Sequence, residues 1–200
     1  MCRKIIDLSV STDNSTEGVN VTLQDNLPIY LGCECYAYDL FIKSHTGTYF
    51  ETSSHTFRDG QNTNEVELEK MILPAVCIRI GESDRCITAD DIEATSVKPV
   101  AGSAVLIDAG EDKNKYFSHD AAEWMVDNKV ALMGSSTRLY DSGFENPTGF
   151  FIDLFKAEIP IIANLANLNL LPEKDFTLIT MPLKVAGICT VPCRVIATIE

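Results

Sequence analysis

Between Ser103 and Met133 the chain passes from an unbroken apolar run into a capped amphipathic segment and back to a second apolar run, an order that few folds accommodate. Residues 103–109 (Ser-Ala-Val-Leu-Ile-Asp-Ala) read as a buried strand, because apolar residues succeed one another without polar alternation. Ser118 reads as a helix N-cap, and Ala122, Trp124, Met125 and Val126 supply the apolar bulk of the helix that ends near Asn128. Residues 130–133 return to strand. Strand, helix, strand in that order sets the class as α/β.

The alternation extends in both directions. Residues 4–8 and 35–43 read as strands, the second placing Tyr36, Tyr38, Leu40 and Ile42 on one face, with polar residues 9–26 as a loop between them. Residues 62–71 have helical content and stop before Pro74; residues 75–80 form a short strand closed by Gly81. Thr88 caps a short helix to about Ser96, with Asp90 and Asp91 in its first turn. Residues 150–157 form a further helix that feeds 159–162, and residues 176–180 and 194–199 are closing strands. Without repeats, low-complexity tracts or a linker, residues 1–200 are expected to form one domain.

Two hundred residues at 46% hydrophobic can bury a sizeable core, while a formal charge of −13 excludes a phosphate-backbone partner, which needs clustered Lys and Arg. No window approaches the ~20 apolar residues of a membrane helix. The opening residues read as a first strand rather than a signal peptide, so the expected location is cytoplasmic, with no membrane partner. Seven cysteines, at 2, 33, 35, 77, 86, 189 and 193, are then expected as reduced thiols, mostly acting as small buried hydrophobes. Neither Cys33-Glu-Cys35 nor Cys189-Thr-Val-Pro-Cys193 has the paired spacing of a zinc knuckle. The sequons at Asn14 and Asn20 have no meaning without secretion.

Chemistry concentrates in His45-Thr-Gly-Thr-Tyr-Phe-Glu-Thr-Ser-Ser-His55, which holds two of the three histidines around a carboxylate. His45, Gly47, Tyr49, Glu51, Ser53 and His55 share one parity, yet ten extended steps span roughly 33 Å. His45 and His55 therefore meet only if the Gly/Thr/Ser-rich middle curls. The alternative is that both are hydrogen-bonded structural residues. The third histidine, His119, is expected as a solvated surface residue in the first turn of its helix.

These residues resemble the H-x-G-T-H-x-D-x-P-x-H signature of the cyclase family, the family of bacterial kynurenine formamidase (an arylformamidase) and isatin hydrolase. The resemblance continues in order through Asp7-Leu-Ser9, Pro99-Val-Ala-Gly-Ser-Ala-Val-Leu-Ile107, Ala121-Ala-Glu-Trp124, Ile159-Pro-Ile-Ile-Ala-Asn-Leu-Ala-Asn-Leu168, Leu171-Pro172 and Met181-Pro-Leu183. It implies a swivelling β/β/α fold and a homodimer or larger assembly.

In that family the two leading histidines and the aspartate bind zinc or manganese, and a downstream histidine and glutamate hold a second ion in two-metal members. His45 matches the first ligand, Tyr49 occupies the second histidine's place and Glu51 replaces the aspartate. The downstream histidine position holds Phe151 and the glutamate position Ala163, neither of which can ligate. His55 matches the family's acid/base, and Ser53 stands where the signature has proline. The resemblance thus implies at most one divalent metal, weakly held or absent, on His45 and Glu51 with Tyr49 as a third ligand only if ionised. Two functions follow. One is a hydrolase of an amide, lactam or lactone, with His55, Glu51 and Tyr49 as catalytic groups. The other is a catalytically silent relative that binds a small ligand or serves assembly.

Overall fold

The computed structural model describes residues 3–81, 84–138, 140–143 and 145–200. In chain order the elements are β1 (Lys4–Asp7), β2 (Val19–Leu23), β3 (Ile29–Tyr30), β4 (Cys33–Glu34), β5 (Tyr38–Ile42), β6 (Tyr49–Glu51), β7 (Ile72–Arg79), β8 (Cys86–Ile87), α1 (Ala89–Glu93), β9 (Ala104–Asp108), β10 (Tyr116–Phe117), α2 (His119–Asp127), β11 (Leu132–Ser135), α3 (Phe150–Lys156), β12 (Ile161–Ala163), β13 (Phe176–Pro182) and β14 (Thr190–Ile199).

Seven strands close on themselves in the order β14-β13-β7-β9-β11-β12-β6, because β14 pairs β13 along one stretch and β6 along another. The result is a mixed barrel with β1 added outside β14. Closure leaves these strands without a free edge. β7, β9, β11 and β12 run parallel, and their residues alternate between two apolar clusters. Ala75, Cys77, Ala104, Leu106, Leu132 and Ile162 join Phe50, Leu178 and Val195 inside the barrel. Val76, Ile78, Val105, Ile107, Met133 and Ile161 face outward under α1, α2 and α3, against Ile92, Met125, Leu154 and Phe155. A strand covered on both faces must be apolar at every position, which is why residues 103–109 show no alternation.

The helices begin where their caps place them. Thr88 accepts from Asp91 N, and Ser118 from Ala121 N. This is the expected α/β class, with four corrections. Residues 62–71 form two short 3-10 turns, Thr63–Glu65 and Leu68–Lys70, because Val66 is extended and too few apolar residues share a helical face. The polar stretch 9–26 contains β2, whose Val19, Val21 and Leu23 alternate with polar residues and pair with β5. The predicted face Tyr36, Tyr38, Leu40 is exposed, as are Cys33 and Cys35. β14 also starts earlier than residue 194, at Thr190. Cys2 lies outside the described residues. Among those described, all cysteines are free, and burial pushes the Cys77 and Cys193 thiols up to about 12. No described helix is long and apolar enough to cross a membrane.

Candidate active site

The site forms where short β6 leaves the barrel wall. Gly47 takes a left-handed φ of 66° just before the strand, and an added Cβ there would lie 2.8 Å from Thr12 Cγ2, so only glycine fits the turn. The turn is stapled to the end of β12: Asn164 Nδ2 donates to Gly47 O (2.9 Å) and Thr48 Oγ1 donates to Asn164 O (2.8 Å). Phe50 then points into the barrel, while Tyr49 packs on the helix side. Past Glu51 the chain curls through a 3-10 turn, Ser53–His55. Ser53 Oγ holds that turn, donating to Glu158 Oε2 and accepting from Gln61 N. Gly60 passes so close beneath it that a Cβ would sit 2.5 Å from the Ser53 carbonyl carbon.

This curl brings together the two histidines that a flat strand would hold apart; their ring centroids are 5.5 Å from each other. Glu51 Oε1 lies 2.9 Å from His45 Nε2 and 3.0 Å from His55 Nδ1, and accepts a 2.6 Å bond from Thr190 Oγ1. Glu51 is only 6% exposed, so these contacts replace the water a buried carboxylate would otherwise need. His45 Nδ1 meets Ser44 Oγ at 3.0 Å. The hydrogen bond to Glu51 raises the His45 pKa above its ordinary value against the opposing effect of burial. Burial, aided by the Glu51 charge, raises the Tyr49 phenol, whose ring meets His45 edge-on at 5.1 Å. Tyr49 is therefore a neutral hydroxyl, not a phenolate.

His45, Glu51 and His55 each offer a ligand atom, all within 4.8 Å of one another. Two imidazoles and a carboxylate form a donor set that suits zinc and also manganese. The two bonds to Glu51 use ring nitrogens that an ion would claim, so ion binding and histidine protonation compete. Tyr49, the expected third ligand, is less suited than His55 on chemical grounds. Phe151 faces His55 at 6.1 Å between centroids, and Ala163 is buried opposite Tyr49 in the β12–β6 pairing. Neither position carries a donor for a second ion. The site opens on a cavity of ≈210 Å³ walled by Tyr140, Pro147, Phe151 and Ile161.

Sequence reading missed the support. Thr190 reaches Glu51 only through the β14–β6 pairing, and Cys189 Sγ, 3.8 Å from His55 Nδ1, arrives with it. Asp141 lines the cavity and accepts from the backbone nitrogens of Ser142, Thr148 and Gly149, which organises the loop before α3. No local motif marks Thr190 or Cys189, because Glu51 and His55 are distant from them in the chain. His119 stands apart, exposed and bonded to Asp153 at 2.7 Å.

Comparison with known proteins agrees with this architecture. No curated protein matches the chain. The isatin hydrolase A from Ralstonia solanacearum superposes with a TM-score of 0.79 at 19% identity, covering 99% of this chain and 92% of that one. A predicted metal-dependent hydrolase from Bacillus stearothermophilus gives 0.81 at 21% identity over 100% of both chains. An isatin hydrolase bound to the product analogue thioisatinate gives 0.80 at 22% identity over 99% of this chain and 93% of the other. The Cyclase family model, described as "Putative cyclase", matches residues 6–142, and the chain belongs to that family.

Proposed function

We propose that the protein is a hydrolase that opens an amide, lactam or lactone, arylformamidase-like in its chemistry, with one divalent ion held by His45 and Glu51. The convergence of His45 Nε2, Glu51 Oε1 and His55 Nδ1 at the wall of an apolar cavity carries this reading. When bound, the ion would polarise the carbonyl and lower the pKa of a bound water. Thr190 fixes the Glu51 oxygen. His55 Nδ1 faces Glu51, which leaves Nε2 to take the proton of the attacking water and return it to the leaving amine or alcohol. The neutral Tyr49 hydroxyl donates to the developing oxyanion. Phe151 and Tyr140 supply the apolar walls that exclude water.

Metal analysis and hydrolysis of N-formylkynurenine, simple lactams and simple lactones with added zinc or manganese test this. The expected result is one ion per chain or fewer, with turnover. His45→Ala loses the ion, whereas His55→Ala loses turnover and weakens ion binding less. No ion and no turnover on any substrate would abandon the reading. The second reading, a catalytically silent ligand-binding relative, is favoured by Phe151 and Ala163, which replace donors with apolar surface. Any turnover abolished by His55→Ala in a folded protein excludes it.

For assembly we infer a homodimer built on the β2–β5 ribbon. Its pairs Val19–Ile42, Val21–Leu40 and Leu23–Tyr38 form one apolar face, and Ile29, Tyr30, Leu31 and Tyr36, in the segment between the two strands, are exposed as well. A lone two-stranded ribbon is marginal in water. Its exposed large side chains, at about 200 Å² each, offer on the order of 1,000 Å², more than the ~800 Å² each partner gives to a standard interface. A second copy meets that need symmetrically.

A further inference from the structure

A second and wider cleft of ≈830 Å³ lies directly beside the site, and His45, Tyr49 and Arg138 line both cavities. These three side chains are the partition between the cavities. The two sides differ in chemistry. The smaller cavity contains the carboxylates of Glu51 and Asp141 among largely apolar walls. The wider cleft is lined by Ser11, Thr12, Ser44 and Thr46 hydroxyls and by Lys43, with Glu17 its one carboxylate. Among the described residues neither Lys43 nor Arg138 forms an ion pair. In a chain of net charge −13, two cations outside any ion pair, facing a single carboxylate in a cleft beside the reacting groups, are a local exception.

We propose that this cleft is an anion subsite, in which Arg138, assisted by Lys43, binds an acidic group of the substrate while the apolar body enters the smaller cavity. The proposal rests on the hydrolase reading and narrows its substrate class to a bipartite molecule, a compact apolar or aromatic acyl compound bearing a carboxylate. Volume supports the division. The ≈210 Å³ cavity is below the ~300 Å³ at which ordinary ligand pockets begin, so it admits one ring, and the remaining bulk must lie across the partition. Charge sets the direction: Glu51 and Asp141 disfavour an anion in the smaller cavity, whereas in the wider cleft Lys43 adds a second cation to the guanidinium fork of Arg138, which can offer a carboxylate two parallel hydrogen bonds.

Phenylacetate and its neutral isostere phenylacetamide test the subsite by calorimetric titration at low salt, on the purified protein with its native metal content. Phenylacetate binds about ten-fold more tightly than the amide, as one charge-assisted contact requires. Arg138→Gln removes that preference and leaves phenylacetamide within about two-fold; Lys43→Gln reduces it less. Because Arg138 is exposed, both variants fold. Glu51→Gln separates the subsite from metal capture of the carboxylate, since the preference persists in that variant if Arg138 is responsible. Equal affinity for the two probes, no binding of either, or a preference that survives Arg138→Gln but disappears with Glu51→Gln overturns the proposal. Absence of turnover or metal in the wild-type protein would count against the hydrolase reading alone, because the titration does not depend on either.

Discussion

In β9, Ala104 and Leu106 face the barrel interior while Val105 and Ile107 face the helices, and all four are fully buried. In the β2–β5 ribbon, Val19, Val21, Leu23, Tyr38, Leu40 and Ile42 make a face just as apolar, yet Tyr38 and Leu40 are 58% and 63% exposed. The difference is not in the residues but in what lies opposite them. Closure gives each barrel strand two neighbours, and the helices cover the outer face of the parallel strands, whereas the ribbon pairs only with itself. The site draws on the covered region, since Glu51 is gripped between β6 and β14 inside the closed wall. The ribbon has an apolar face without the tertiary contacts to hide it, which is the ground of the proposed dimer.

The comparison is broken most severely in the barrel. Phe50→Ala empties a fully buried position and is expected to cost about 3–5 kcal/mol, read by denaturant unfolding; a loss below ~1 kcal/mol would mean that the interior is not packed as described. Next, Thr190→Val removes a donor from buried Glu51 and is expected to cost about 1–3 kcal/mol and to weaken zinc binding in a competition titration. Unchanged zinc affinity would separate Thr190 from the metal-binding reading.

Leu40→Asp should behave oppositely. Light scattering should show a dimer becoming a monomer, with barrel stability of the monomer altered by no more than about 0.5 kcal/mol. A wild-type monomer at micromolar concentration would refute the proposed ribbon interface. The smallest effect is electrostatic. Because the pKa of His45 is raised in the fold above its ordinary 6.5, its bond to Glu51 stabilises the metal-free protein fully below that value. The contribution is lost as pH rises through the raised value. Between about pH 6 and about pH 9 the melting temperature of metal-free protein should fall more than that of His45→Gln, and added zinc should reverse the trend, since ligation needs the neutral ring. Parallel pH profiles for the two proteins would refute the coupling.

Much of this was legible in the chain. Uninterrupted apolar runs marked strands covered on both faces, Thr88 and Ser118 marked helix starts, and the spacing from His45 to His55 marked the one segment able to gather two imidazoles and a carboxylate. Each is a local property, carried by residues within a few positions of one another. β2 was missed because Val19-Asn-Val-Thr-Leu23 is a weak alternation that only pairing with β5 completes, and residues 62–71 were read as helix because composition alone does not show an extended break at Val66.

By itself the sequence determined the α/β class, most of the strands that build the barrel and the segment that gathers His45, Glu51 and His55. The tertiary structure alone decided that β14 would bring Thr190 and Cys189 to Glu51 and His55, and that Arg138 would stand between two cavities. The physical reason is separation: Thr190 and Glu51 are 139 positions apart in the chain, and only closure of the barrel, driven by burial of its apolar interior, makes them neighbours.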